Sequence, residues 1–153
     1  MLSAVFITES AARQALRTAC EGLARSTDDS NIEVSGLLLG REIGPDLRIT
    51  SAITGDQIST EFGSKLDENF MAAIAHRVVT GRIRDRVVGM FHSHPGIGIF
   101  MSEQDVRTLV NFQRLYPRFV MMVIDPLTQL RYRFFRYNGE TGSLQLLPVH
   151  LIG

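Results

Sequence analysis

Residues 87–105 constrain this chain more than any other stretch. Val87-Val88-Gly89-Met90-Phe91 is an apolar run that reads as a buried strand, and it leads directly into His92-Ser93-His94. On a strand, residues two apart share a face. The two imidazoles therefore project together, roughly 6–7 Å apart at the backbone, close enough to share one metal ion. Pro95 and Gly96 end the strand. The loop Ile97-Gly98-Ile99-Phe100-Met101 leads to Ser102-Glu103-Gln104-Asp105, a helix start with Ser102 as N-cap and Asp105 in the first turn.

Two histidines and a carboxylate make three ligands. A catalytic zinc typically takes three protein ligands and leaves the fourth position to water. A closed structural site needs four, and no further Cys or His pair completes one. Taken singly, each residue is ordinary. A His-x-His on a strand is often two satisfied polar side chains, Ser-x-x-Asp is a common helix cap, and Pro-Gly is a turn. Together they fix five residue types at fixed offsets, a chance match on the order of one in a hundred thousand for a chain of this length.

His92-Ser93-His94-Pro95, with its spacing to Ser102 and Asp105, resembles the motif of the JAMM/MPN+ (Mov34/MPN) metalloprotease family. Glu33-Val34-Ser35-Gly36-Leu37-Leu38-Leu39-Gly40 resembles that family's Glu-x-x-Gly-x-Leu-Leu-Gly strand, and the Gly-x-Gly loop before Ser102 is similar to the proteasome-lid and signalosome deubiquitinases. The resemblance covers most of the chain, and no motif residue is missing. It implies a mixed, partly barrel-like sheet flanked by helices. It also implies one Zn²⁺ held by His92, His94 and Asp105, with Glu33 as the catalytic base and the Ser102 hydroxyl stabilising an oxyanion rather than attacking. The implied substrate is an isopeptide or peptide bond after the C-terminal tail of ubiquitin or a ubiquitin-like protein. Gly96, Ile97, Gly98, Ile99 and Phe100 flank the site and are expected to line the groove for that tail.

The insertion that some eukaryotic members carry after the motif helix is absent, since Gln113 to Arg118 leads almost directly into the next strand. The chain therefore looks more like stand-alone prokaryotic members, some of which serve antiphage conjugation systems. Two hydrolase readings stay open: deconjugation or precursor processing of a ubiquitin-like protein, and trimming of a ubiquitin-like sulfur carrier. A third is a scaffold subunit without metal, but such members have lost motif residues that this chain keeps. Some members are inactive alone, so an activating protein is among the expected partners.

Length and charge bound the rest. The 153 residues fit one domain, 1–153, with a real core. Net charge is zero, from 16 basic and 16 acidic residues, which gives no footprint for nucleic acid or an anionic membrane. Lys65 is the single lysine, a bias that a GC-rich genome or avoidance of lysine acceptors would produce. Cys20 is the only cysteine, which excludes an internal disulfide; its helical position suggests a core residue. Glu9 and Arg13 interrupt the N-terminus, so no signal peptide is evident, and no segment approaches a membrane span. These bounds favour the cytoplasm.

Taken in order, the pattern predicts strands over 3–7, 33–39, 47–53, 87–91, 119–124, 130–137 and 144–151. It predicts a helix from Thr8 or Ser10 to about Arg25, with Ala12, Leu16, Ala19 and Leu23 inward. A second helix is expected from Ser64 through Leu66, Phe70, Ile74 and Val78, carrying His76 as a surface or packing residue. Residues 55–62 are expected as a loop, and 130–137 as a strand with one wet face. The basic-aromatic alternation there is a signal that nucleic-acid binding shares with a solvated strand. Pro148 argues for an edge position in the last strand. This order of elements is α/β or α+β.

Overall fold

The computed structural model describes residues 2–27, 32–54, 57–60, 63–66 and 85–153. Ten strands and two helices are described among them. The strands are β1 (Val5–Thr8), β2 (Ser35–Ile43), β3 (Asp46–Ile53), β4 (Gln57–Thr60), β5 (Gly63–Leu66), β6 (Arg86–Ser93), β7 (Val120–Ile124), β8 (Tyr132–Asn138), β9 (Ser143–Leu147) and β10 (Val149–Ile152). The helices are α1 (Glu9–Arg25) and α2 (Glu103–Leu115). Eight strands form one sheet in the order β10-β1-β3-β2-β6-β7-β8-β9. Its pairs are parallel for β1–β10, β1–β3 and β6–β7, and antiparallel for the rest.

The predicted last strand is split by Pro148. The stretch before it pairs with β8, and the stretch after it pairs with β1 at the opposite end of the sheet. A proline has no N–H for a ladder, so the chain changes partners where a bond is already missing. One ten-residue segment thereby supplies both ends of the strand order, and the sheet is nearly closed. This is the mixed, partly barrel-like sheet with flanking helices expected of the fold.

The centre of the sheet follows from β7, which is buried along its whole length. Successive side chains on a strand face opposite ways. Val120, Met122 and Ile124 join the core under α1, with Val88, Phe91 and Phe134; Met121 and Val123 join the core under α2, with Leu109 and Phe135. β8 is buried on both faces at its centre, where Phe134 faces one core and Phe135 the other with half-buried Tyr137, while Arg133 stays exposed. The prediction of one wet face for β8 is corrected accordingly.

Two further corrections concern packing. The inward face of α1 is Ala11, Ala12, Ala15, Ala19 and Gly22, with Leu16 only half-buried. Small side chains let the helix lie close on the sheet, and Cys20, next to Ala19 and turned off that face, is exposed. Thr8 is the N-cap, its hydroxyl accepting from the Ala11 N–H at 3.1 Å. Residues 57–60 and 63–66, expected as part of a loop and the start of a helix, instead pair as a separate two-stranded sheet, β4–β5. Ser64 therefore lies in a strand; the remainder of that expected helix, with His76, lies outside the described residues. No described helix is long and apolar enough to cross a membrane.

Candidate metal centre and active site

The site forms where β2, β6, β7 and α2 meet. Two links carry the β2–β6 pairing past the strand ends. The Ser93 N–H donates to the Val34 carbonyl at 2.9 Å, and the Val34 N–H donates to Ser93 Oγ at 2.8 Å. They hold Glu33, one residue earlier, against the histidine strand. The register sets Ser35 opposite His92. Ser35 Oγ lies 3.2 Å from His92 Nδ1, a contact that orients the ring and leaves Nε2 to face the carboxylates. On the other side of β6, the His94 N–H donates to the Ile124 carbonyl of β7 at 2.8 Å.

The helix start supplies the second carboxylate. Ser102 Oγ accepts from the Asp105 N–H at 3.1 Å, and an Asp105 carboxylate oxygen accepts from the Ser102 N–H at 3.0 Å. This reciprocal cap satisfies two amides that a helix N-terminus leaves unpaired. It also fixes where the Asp105 carboxylate points. Asp105 Oδ1 is 3.6 Å from His92 Nε2, and Oδ2 is 3.2 Å from His94 Nε2. Glu33 Oε2 is 3.5 Å from His92 Nε2. Glu33, His92, His94 and Asp105 are all buried.

This donor set fits a divalent cation. One donor atom each from Glu33, His92 and His94 lie within 4.8 Å of one another. Contacts of 3.2–3.6 Å between imidazole nitrogen and carboxylate oxygen are long for charge-assisted hydrogen bonds. Donors about 2.0–2.1 Å from a tetrahedral zinc stand roughly 3.3–3.4 Å from each other. The same spacing is the one that ligands around one ion would show.

The electrostatics agree. Burial pushes His92 down to about 4; Asp105 opposes this and His94 adds to it. The ring is thus neutral at pH 7, the form that binds metal. Burial alone would raise Asp105. The hydrogen bond with His94, the His92 ring, the Ser102 amide and the His94 charge together outweigh it and hold the carboxyl below its usual range. Burial raises Glu33, with His94 opposing and Asp105 adding. The two carboxyls are thus pushed in opposite directions, Asp105 down and Glu33 up. His94 Nδ1 is buried without a hydrogen-bond partner among the described residues.

The five loop residues lie next to this cluster. Gly96 and Gly98 have positive φ, 78° and 97°. Ile97 and Phe100 are exposed, at 50% and 44%. The Phe100 ring centroid lies 4.8 Å from that of His94, and Ile99 packs towards the α2 core. Sequence reasoning missed one residue here. Asp125 stands in an Asp-Pro-Leu-Thr stretch that reads as an ordinary turn and gives no other signal. Its fully buried carboxylate accepts from the N–H groups of Gly96, Gly98 and Leu127 at 3.0, 2.8 and 3.0 Å.

Residues 4–118 match the family model described as JAB1/Mov34/MPN/PAD-1 ubiquitin protease. The chain is 35% identical over 103 residues to a 26S proteasome non-ATPase regulatory subunit 14 of Dictyostelium discoideum. It is 33% identical over 103 residues to a ubiquitin carboxyl-terminal hydrolase RPN11 of Saccharomyces cerevisiae. Each alignment takes in 65% of this chain and 33% of the relative, so the chain spans about a third of the length of the curated relatives it matches. The match over most of the chain, on a fold that draws the motif residues into one buried cluster, makes this protein a member of the JAB1/Mov34/MPN/PAD-1 family.

Proposed function

We propose that this protein is a zinc-dependent isopeptidase or peptidase that cuts after the C-terminal tail of a ubiquitin-like protein. The observation that carries this reading is the buried cluster in which Asp105 reaches both histidine Nε2 atoms while Glu33 lies 3.5 Å from that of His92. His92, His94 and Asp105 would hold the ion, and Glu33 would move protons. A zinc ion held there would supply Lewis acidity, making water nucleophilic near neutral pH and polarising the scissile carbonyl.

The chain's own residues divide the remaining work. Glu33, with its raised pKa, accepts the proton of the attacking water and returns it to the departing amine, which must be protonated to leave. Ser102 uses its oxygen as a helix cap, and its hydroxyl proton remains to donate to the oxyanion of the tetrahedral intermediate. Ile97 and Phe100 offer apolar surface beside His94 for the incoming tail. A ubiquitin-like modifier of a bacterial conjugation system is the substrate we favour.

The test is cleavage of a panel of ubiquitin-like proteins fused at their C-termini to a reporter. Wild type is compared with Glu33→Gln and with wild type under chelator. Cleavage that falls about 10²–10⁴-fold in Glu33→Gln, with Zn²⁺ still bound, and that stops under chelator is the expected result. Unchanged turnover in either control sinks the mechanism.

A further inference from the structure

We propose that Asp125 is a positioning residue. Its carboxylate locks the 95–100 loop onto the end of β7 and so fixes the wall beside His94. That this wall receives a substrate tail rests on the isopeptidase reading; that Asp125 builds it does not.

The β6–β7 ladder ends in the bond from the His94 N–H to the Ile124 carbonyl. Beyond it the loop leaves the sheet, and main-chain pairing with β7 stops. The next residue of the β7 chain, Asp125, takes over with its side chain. Oδ1 accepts from Gly96 and Leu127, and Oδ2 accepts from Gly98. Asp125 is itself held, by its N–H to the Arg131 carbonyl at 2.9 Å and by its carbonyl, which accepts from the Thr128 hydroxyl at 2.9 Å. The positive φ of Gly96 and Gly98 turns both amides towards one point, an anion-binding nest whose anion is part of the chain. Nothing would crowd a Cβ at Gly98, so backbone conformation and not space requires glycine there.

A carboxylate at 0% exposure is costly to bury unless it is paired, and here three N–H groups satisfy it. What that arrangement achieves is rigidity in a loop that carries exposed Ile97 and Phe100. Apolar side chains held in place before a ligand arrives lose less entropy on binding.

The experiment measures amide hydrogen exchange at single residues in the full-length, chelator-treated protein. It compares wild type, Asp125→Asn and Asp125→Ala. Asn keeps one acceptor oxygen, so the amides should respond in order. Exchange at Gly96 or Gly98 should quicken roughly tenfold or more in Asp125→Asn, the scale of one lost charge-assisted bond. Both should quicken in Asp125→Ala, while β2 and β3 keep wild-type protection. Zn²⁺ binding by calorimetry should stay within about threefold of wild type. On any fusion that wild type cleaves, KM should rise more than kcat falls. Unchanged exchange at both glycines overturns the proposal, as does faster exchange spread evenly over the sheet. Loss of Zn²⁺ binding at the same step also overturns it, by moving the role to the metal centre. A protein that cleaves nothing on the panel fails the isopeptidase reading, and the exchange data still decide the role of Asp125.

Discussion

Gly36 sits opposite Phe91 in the β2–β6 pair, one residue before His92. A Cβ built there would lie 2.1 and 2.2 Å from two Phe91 ring atoms and 2.5 Å from the Ile53 carbonyl oxygen. Ordinary contact begins near 3.4 Å, so the ring must retreat by more than 1 Å through a core with little free space. Overpacking of this kind costs about 1–3 kcal/mol, and the lower chain entropy of alanine in the unfolded state returns about 0.4–1 kcal/mol. Gly36→Ala should therefore destabilise by about 1–2 kcal/mol, the middle of that difference, read as a lower urea midpoint at unchanged slope. Phe91→Leu removes the two clashing atoms. The double variant should consequently be more stable than the sum of the two single losses allows, with coupling of about 1–2 kcal/mol. The carbonyl contact persists, so the rescue stays partial. Strictly additive losses would refute the idea that the Phe91 ring is what excludes a side chain at position 36.

Other expectations rest on the same geometry. In the chelator-treated protein, His92 is depressed to about 4 against an ordinary 6.5, so the unfolded chain binds a proton between these values that the folded chain refuses. Its contribution to stability is neutral above that window and falls by about 2 kcal/mol between pH 7 and pH 5. Glu33, raised by burial, acts in the opposite direction over its own window, so the comparison is with His92→Gln; equal acid sensitivity of the two proteins in urea titrations would contradict the assignment. For Ser102, glycine separates two roles, because it caps a helix within a few tenths of a kcal/mol of serine. Ser102→Gly should leave the urea midpoint nearly unchanged but reduce turnover of a cleaved fusion by about 10²–10³-fold; turnover near wild type would leave Ser102 only a cap.

What the sequence made legible was local. The His92–Asp105 stretch announces a strand, a turn and a capped helix through rules that operate within a few residues, whereas the fold brings Glu33, 59 residues before His92 in the chain, to it through the β2–β6 strand pairing. The inward face of α1 was misjudged because leucines carry more apolar weight than alanines; closeness to the sheet selected the alanines and left Cys20 outside. The β4–β5 pair has no strict alternation to reveal it. Asp125 was hidden for a different reason. An Asp-Pro turn looks the same whether its carboxylate faces water or clasps a loop 27–29 residues away in the chain.

The split at Pro148 bears on where this protein can be divided. Resemblance to the family ends at residue 118, and every proposed metal donor precedes that point. The strands that complete the sheet all follow it. β7 backs the histidine strand, and β10 covers β1. A chain cut where the likeness stops would keep the full set of donor residues. It would also present the histidine strand as a raw edge, without Ile124 behind His94 or Asp125 behind the loop. The matched stretch and the sheet that supports its site have different boundaries, and the last 35 residues belong to the second.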